Sequence, residues 1–388
     1  MSPQPEHVHE NFLVASERIR ENYPNVVLLL QGGGALGSYQ AGVAEMLDEA
    51  DVPIHWVAGI SIGAINSAII AGNPPGERAK ALKGFWTRIT ENVHYPFIPK
   101  GDDLRSAFNH MAAFTALTTG AAGFFSPRWL GPQFQPPGST GATSYYDTSL
   151  LKATLREFAD FDRINRGPVR LSVGAVNVRS GNFAYFDTTE RTIEPEHIMA
   201  SGALPPGFPA IEIENELYWD GGLVSNTPLQ HILEHMPTED TLIFQVDLFP
   251  AYGHRPRTIE EVEQRAKDIR FSSRTRLNSA LLARAIRQRA HLEDLLAILP
   301  EELHDHPAAQ AVKNLPPLPK FNLVHLIYRT KLYEGSNKDY EFSFNTMQDH
   351  WHAGYACMRR SLRNVHWFHT PPADRPFIRH DVDADSKD

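Results

Sequence analysis

The sequence predicts an α/β fold built on a mostly parallel sheet, and three observations support this prediction. Residues 26–30 form a short, continuous apolar run, which is typical of a strand buried on both faces of a sheet. A glycine-rich turn and a helical pattern at 38–50 follow this run. A second short strand at 55–58 then leads into another glycine turn and a small-residue helix at 64–71. Two strand–turn–helix units in succession are typical of a parallel sheet.

The same alternation continues to residue 250 and then changes in character. We predict a helix at 148–158, a hairpin of two strands at 169–178 and 183–186, a helix at 194–202, and strands at 217–219 and 241–248. Beyond residue 250 we predict a long arginine-rich helix at 258–299, a strand at 322–328 and a helix at 347–362.

Composition narrows the class of protein. The 388 residues carry a formal net charge of -9, which provides no basic face for nucleic acid. The single cysteine, Cys357, excludes an internal disulfide and fits a reducing compartment. The sequence contains no apolar stretch of about 18 residues that would span a membrane, and residues 1–25 lack the apolar run of a signal peptide. We therefore expect a cytoplasmic protein without a nucleic-acid partner.

The segment Gly59-Ile-Ser61-Ile-Gly63 matches the Gly-x-Ser-x-Gly pattern of a nucleophile elbow. A serine on a tight turn between a strand and a helix projects its hydroxyl from the sheet edge, and the flanking glycines avoid steric clashes. The pentapeptide alone is a weak signal, but its position between an apolar strand and a small-residue helix is the expected context. We predict that Ser61 is a nucleophile.

A glycine loop, Gly32-Gly-Gly-Ala-Leu-Gly37, follows the first predicted strand. It also matches the dinucleotide fingerprint, but that fold requires an acidic residue at the end of the second strand, where this chain has Gly59-Ile-Ser61. The loop is better suited to an oxyanion hole, because glycine N–H groups can approach a tetrahedral intermediate closely. We predict that Gly32, Gly33 and Gly34 supply these N–H groups, joined by the N–H of Ile62.

The candidate base is Asp220, which follows Tyr-Trp and precedes Gly221 and Gly222. The aromatic residues would bury the approach to the carboxylate, and the glycines would let it lie close to another backbone. A carboxylate is a weak base towards serine unless a dry site raises its pKa. A histidine base remains an alternative, because the chain has 18 histidines, but His325 lies inside an apolar strand and fits a core residue better.

Taken in this order, the three motifs resemble those of the patatin-like phospholipases. The segment Ala-Ser-Gly-Ala-Leu-Pro at 200–205 is similar to the Ala-Ser-x-Ala-x-Pro segment that precedes Asp-Gly in that family. The resemblance covers about residues 25–250. It implies a three-layer α/β/α fold, a dyad of Ser61 and Asp220, and hydrolysis of fatty-acyl esters without a metal or other cofactor. Gly37, Gly59, Gly63 and Gly221 would then be supporting positions of the motifs.

One departure from the family concerns the substrate. Many members have Arg or Lys just before the last glycine of the first motif, where this chain has Leu36. The loop therefore lacks a positive charge that would meet a phosphate. We expect a lipid or acyl-ester substrate, with neutral esters, thioesters or hydroxyacid oligomers as alternatives to phospholipids. A non-catalytic lipid-binding or scaffold module is the competing class of function.

We divide the chain into an N-terminal segment (1–24), a catalytic domain (25–250), a mainly helical C-terminal extension (251–370) and a tail expected to be disordered (371–388). Within the catalytic domain, residues 95–143 are rich in Gly, Pro, Ser and Phe, and we interpret them as an apolar lid, with disorder as the alternative. The arginines at 258–299 allow peripheral contact with an anionic membrane, but interleaved acidic residues favour a solvated helix face. We expect no metal site, since His350-Trp-His352 has the wrong spacing for one.

Overall fold

The main sheet lies at the centre of the protein. The structure is a computed structural model that describes residues 5–95, 99, 101–235, 237–331 and 333–382, and over these residues the main sheet has nine strands. A separate two-stranded pair consists of β3 and β4. The strands are β1 (Asn25–Leu30), β2 (Trp56–Ile60), β3 (Ser126–Pro127), β4 (Tyr146–Asp147), β5 (Arg170–Asn177), β6 (Phe183–Asp187), β7 (Ile211–Ile213), β8 (Glu216–Asp220), β9 (Thr241–Asp247), β10 (Phe321–Ile327) and β11 (Phe377–Asp381).

Six strands of the sheet run parallel, in the order β11-β10-β9-β1-β2-β5. The remaining three are antiparallel: β6 pairs with β5, β8 pairs with the end of β5, and β7 pairs with β8. The prediction of a mostly parallel sheet is therefore confirmed. The helices are α1 (Pro5–Asn22), α2 (Gly37–Glu49), α3 (Ile62–Ala71), α4 (Arg78–Thr90), α5 (Asp102–Thr119), α6 (Leu151–Phe158), α7 (Phe161–Arg166), α8 (Pro195–Ser201), α9 (Leu229–Glu234), α10 (Ile259–Ile298), α11 (Pro307–Lys313) and α12 (Phe344–Arg363).

Helices cover both faces of the sheet, which makes the fold three-layered. Alternate residues of β1 belong to two separate hydrophobic clusters, with Val26 in the first and Val27 in the second. The first cluster includes residues of α1 to α4 and α12, whereas α9 and α10 contribute to the second, for example through Leu229 and Leu282. The expectation of a three-layer α/β/α arrangement is thus confirmed.

The predicted division at residue 250 does not divide the sheet. Strand β10 pairs with β9 and strand β11 pairs with β10, so residues beyond 250 complete one side of it. Helix α12 lies against α2 at two glycines, where a Cβ on Gly42 or Gly354 would come within 1.9 Å of a backbone oxygen. The expected disorder of the tail is wrong for β11, because parallel pairing with β10 orders it, while residues 383–388 lie outside the described residues.

The segment 95–143 is more regular than its composition suggested. It contains the 18-residue helix α5, so the expectation of an irregular segment is wrong there, while residues 96–98 and 100 lie outside the described residues. Buried Arg105 attaches α5 to α12, since its Nη2 donates to Asp349 at 2.8 Å and to Thr346 at 3.1 Å. Within the part of the chain that the structure describes, no helix is both long and apolar enough to cross a membrane.

Candidate active site

Ser61 lies on the turn between β2 and α3. Its backbone has φ 56° and ψ -124°, in the left-handed region that residues with a side chain rarely adopt. Glycine is required on both sides of this turn, because a Cβ on Gly59 would lie 2.2 Å from the Gly63 carbonyl oxygen. A Cβ on Gly63 would lie 2.3 Å from the carbonyl oxygen of Leu30 at the end of β1. The turn is therefore strained and tightly enclosed by backbone.

Strand register brings Asp220 to this turn. On β5, Gly174 pairs with Ile60, which precedes Ser61, and the next residue, Ala175, pairs with Asp220. The Ser61 hydroxyl lies close enough to the Asp220 carboxyl group to lower the pKa of that group, and both side chains line the same cavity. The backbone N–H of Gly222 donates to Asp220 Oδ1 at 2.7 Å, which fixes the carboxylate from the other side. The two candidate catalytic residues thus meet, although 159 positions separate them in the chain.

The environment of Asp220 raises the pKa of its carboxyl group towards neutral pH. The residue is only 2% exposed. Burial raises the pKa of Asp220 to about 7, against the opposing effect of the hydrogen bonds from Ser61 and Gly222. A carboxyl group with a pKa near the working pH is well suited to accept and return a proton.

The glycine loop that follows β1 has fewer backbone N–H groups free to bind an oxyanion than the sequence suggested. The N–H of Gly32 already donates to the Asn226 carbonyl oxygen at 3.2 Å, so it is not available to an oxyanion. Among the described residues, the N–H groups of Gly33 and Gly34 have no acceptor. Ile62 begins α3, and the first N–H groups of a helix have no acceptor within the helix. The expectation for Gly32 therefore needs correction, and Gly33, Gly34 and Ile62 remain as candidate donors.

Two polar residues support this arrangement, and sequence analysis assigned no role to either. Ser201 Oγ accepts a hydrogen bond from the Ser61 N–H at 3.0 Å and donates to the Gly174 carbonyl at 2.6 Å, which ties the turn to β5. Asn226 Nδ2 donates to the Gly32 carbonyl at 2.9 Å. The Ala-Ser-x-Ala-x-Pro resemblance included Ser201 without indicating its contacts. Asn226 follows Asp220 by only six residues, but no motif identified it.

A cavity of about 300 Å³ opens beside Ser61 and Asp220. Its walls are mainly apolar, and Asp220 and Asp339 contribute the only charged side chains among the described lining residues. Leu117 of α5 and two phenylalanines come from the segment interpreted as a lid. Five aromatic rings of the wall contact one another, mostly edge to face: Phe124, Phe125, Tyr146, Phe208 and Phe342.

The histidine alternative has no geometric support in the described part of the chain. No described histidine lines the cavity that contains Ser61. His325, which the sequence analysis interpreted as a core residue, is 8% exposed and bonds through Nε2 to Asp247. His325 lies on β10 and Asp247 on β9, and neither residue lines the cavity.

A serine on a strained strand–helix turn of a parallel sheet, beside an apolar cavity, is the arrangement typical of the class of α/β proteins with a nucleophile elbow. Within this class, the chain belongs to the patatin-like phospholipase family. The family model described as patatin-like phospholipase matches residues 28–233, more than half of the chain. A second model, described as patatin phospholipase, matches residues 269–374. The family predicted from the motifs is confirmed.

Similar proteins share only part of their length with this chain. Lysophospholipase nte1 of Aspergillus terreus is 40% identical over 82 residues, which is 19% of this chain and 5% of that protein. Human patatin-like phospholipase domain-containing protein 6 is 33% identical over 87 residues, or 22% of this chain and 6% of that protein. Among solved structures, VipD from Legionella pneumophila matches at TM-score 0.38 and 17% identity, covering 88% of this chain and 67% of its own.

The buried carboxyl group predicts a pH-dependent stability. Because the folded-state pKa of Asp220 lies above its unfolded value, the contribution of this group to stability is lost as pH rises from about 4 towards about 7. Asp220→Asn carries no titratable group, so its free energy of unfolding relative to wild type should increase by about 3 kcal/mol between pH 5 and pH 8. Urea unfolding across this range measures the difference. Parallel curves for the two proteins would contradict the assigned pKa shift.

Proposed function

We propose that this protein is a lipid acyl hydrolase that cleaves carboxylic esters through an acyl-enzyme, with Ser61 as nucleophile and Asp220 as base. One observation carries the proposal. The Ser61 hydroxyl lies beside a buried carboxyl group whose pKa is raised to about 7, and both groups face an apolar cavity. Neither an ordinary turn serine nor a structural aspartate requires this combination.

In the proposed mechanism, Asp220 accepts the Ser61 proton as the hydroxyl oxygen attacks the acyl carbon of the ester. The N–H groups of Gly33, Gly34 and Ile62 stabilise the oxyanion. When the tetrahedral intermediate collapses, the ester C–O bond breaks and Asp220 returns the proton to the leaving alcohol. Water then attacks the acyl-enzyme by the same route, with Asp220 again accepting and returning a proton.

The dyad predicts that two variants lose activity without losing the fold. Ser61→Ala should abolish labelling by a fluorescent fluorophosphonate, and Asp220→Asn should lower turnover of p-nitrophenyl butyrate by at least about 100-fold, because general-base catalysis contributes about this much or more. Ser180→Ala and Asp162→Asn, at exposed positions, serve as matched controls that retain turnover. Thermal melts would confirm that the variants are folded.

Near-normal turnover of Asp220→Asn would mean that the base lies elsewhere. If wild type neither labels nor turns over any ester, the chain is better explained as a lipid-binding or scaffold module.

The lining of the cavity favours neutral acyl groups over phosphate. The described lining residues provide no Lys, Arg or His side chain, while Asp220 and Asp339 carry the only ionisable carboxyl groups there. Leu36, which occupies the position of the family's basic residue, is fully buried in the core. A phosphate inside the cavity would therefore meet no cationic side chain among the described lining residues. We propose that the cavity binds the acyl chain of a neutral ester, thioester or hydroxyacid oligomer.

This substrate proposal predicts an order of rates. Long acyl chains should gain from the apolar walls, since each buried methylene contributes about 0.8 kcal/mol. We therefore expect kcat/KM for p-nitrophenyl decanoate to exceed that for the butyrate by at least about tenfold. Dispersed phosphatidylcholine should be a poorer substrate than the neutral decanoate. A strong preference for phosphatidylcholine over both aryl esters would overturn the proposal.

An exposed apolar surface adjoins the cavity. We call it the α5 surface and define it by Leu104, Met111, Phe114 and Leu117, which are 64%, 50%, 66% and 39% exposed. Leu117 also lines the cavity, so the surface reaches the opening. The opposite side of α5 is attached to the protein through Arg105. We propose that the α5 surface contacts lipid, so that an acyl chain enters the cavity directly from a membrane or lipid aggregate.

If the α5 surface contacts lipid, a substitution there should weaken vesicle binding without lowering ester hydrolysis. Phe114→Ser should weaken binding to zwitterionic phosphatidylcholine vesicles by at least about threefold, because an exposed aromatic side chain is lost from the contact. Turnover of p-nitrophenyl butyrate should persist, since Phe114 does not line the cavity. Leu295→Ser, at an exposed apolar position near the end of α10, is the matched control. Equal vesicle binding by both variants would contradict a role for α5.

A further inference from the structure

A cluster of possible metal ligands lies outside the candidate active site. His231 and Glu234 belong to the short helix α9, and His235 follows them directly. One ligand atom from each residue lies within 4.8 Å of the other two. Helix α9 contributes to the second hydrophobic cluster, on the face of the sheet opposite α2 and α3. We propose that these three side chains bind Zn²⁺ at a site separate from the cavity.

The first ligand, His231, is oriented for metal binding by its other ring nitrogen. His231 Nε2 lies 2.9 Å from Asp187 Oδ2. Asp187 is fully buried and surrounded by donors from Arg170, Ser172 and Thr189, so its carboxylate accepts hydrogen bonds. Nε2 is therefore the protonated nitrogen, and the lone pair is on Nδ1. A carboxylate that accepts the outer N–H of a histidine is the arrangement that typically supports a metal-bound imidazole.

The Nδ1 atom of His231 supports a metal site independently of the spacing of the three residues. The residue is only 1% exposed, and among the described residues Nδ1 is a buried atom without a hydrogen-bond partner. A buried polar atom left unpaired typically reduces stability by about 1–3 kcal/mol. The rings of Tyr185 and Trp56 contact the imidazole and restrict its rotation. A metal ion at Nδ1 would satisfy the atom without any change in the hydrogen bond to Asp187.

The other two ligands complete a donor set suited to zinc. Glu234 and His235 stand three and four positions after His231, a spacing that brings side chains to one side of a helix. Both are exposed, and they can adjust to a metal held by the rigid imidazole. Two imidazoles and one carboxylate form a common three-ligand set for Zn²⁺, with a fourth position for water or for Glu190, whose Oε1 lies 3.4 Å from His235 Nε2.

The sequence contained a signal for this site. His231-Ile-Leu-Glu-His235 matches a His-x-x-Glu-His pattern, in which two histidines four apart share one helix face. The sequence analysis expected no metal, because it considered only His350 and His352. The pattern alone is short and weakly specific. The evidence for the site therefore depends on Asp187 of β6, whose contact with His231 of α9 no local sequence pattern predicts.

Titration of Zn²⁺ into metal-free protein that carries no affinity tag would test this proposal. We expect one equivalent of Zn²⁺ to displace a chromophoric chelator, and Co²⁺ to give the intense visible bands of a tetrahedral complex. His235→Ala and Glu234→Gln should each weaken Zn²⁺ affinity by at least about tenfold, because each removes or neutralises a ligand. His352→Ala, which removes an exposed histidine on α12, is the matched control and should bind as wild type does.

Two further measurements make the result decisive. Ser61→Ala should bind Zn²⁺ with wild-type affinity, so the site can be tested whether or not the hydrolase proposal holds. Zn²⁺ should raise the melting temperature of wild type and of His352→Ala, but raise that of His235→Ala much less. Absence of stoichiometric binding by wild type, or equal affinity in wild type and His235→Ala, would overturn the proposal.

Discussion

The arrangement of the candidate site depends on one pairing, in which β5 forms hydrogen bonds first with β2 and then with β8. Because Gly174 and Ala175 are consecutive, their partners Ile60 and Asp220 must also be neighbours. The hydroxyl of Ser61 and the carboxylate of Asp220 are therefore brought together by rigid backbone. Any shift of register along β5 would separate them, so the sheet specifies the geometry more strictly than a flexible loop would.

The same pairing imposes energetic costs on the fold. A carboxylate is buried, a serine adopts a left-handed backbone conformation, and close backbone contacts restrict the surrounding positions to glycine. Hydrogen bonds from and to Ser201, Asn226 and the Gly222 N–H offset part of these costs. Such local strain, held by a rigid polar frame, is typical of sites selected for chemistry rather than for stability.

The sequence predicted features that depend on neighbouring residues and missed those that depend on distant ones. The glycine turns, β1, β2 and α3 follow from patterns within about ten residues, and the order of the motifs indicated the family. The hydrogen bond of the Gly32 N–H could not be predicted from the sequence, because its acceptor is the carbonyl of Asn226, which lies far away along the chain. Pairing between β10 and β11 likewise gives order to a terminal segment whose composition suggested disorder.

The two C-terminal strands have a consequence for how the chain avoids self-association. Without β10, strand β9 would present its backbone N–H and C=O groups along an apolar edge, which is a template for pairing with another chain. Strand β10 covers that edge, and β11 follows as a strand of only five residues that includes Arg379, His380 and Asp381. Short, charged outer strands discourage edge-to-edge association. In the folded protein, strands β10 and β11 thus shield the apolar edge of β9 from pairing with another chain.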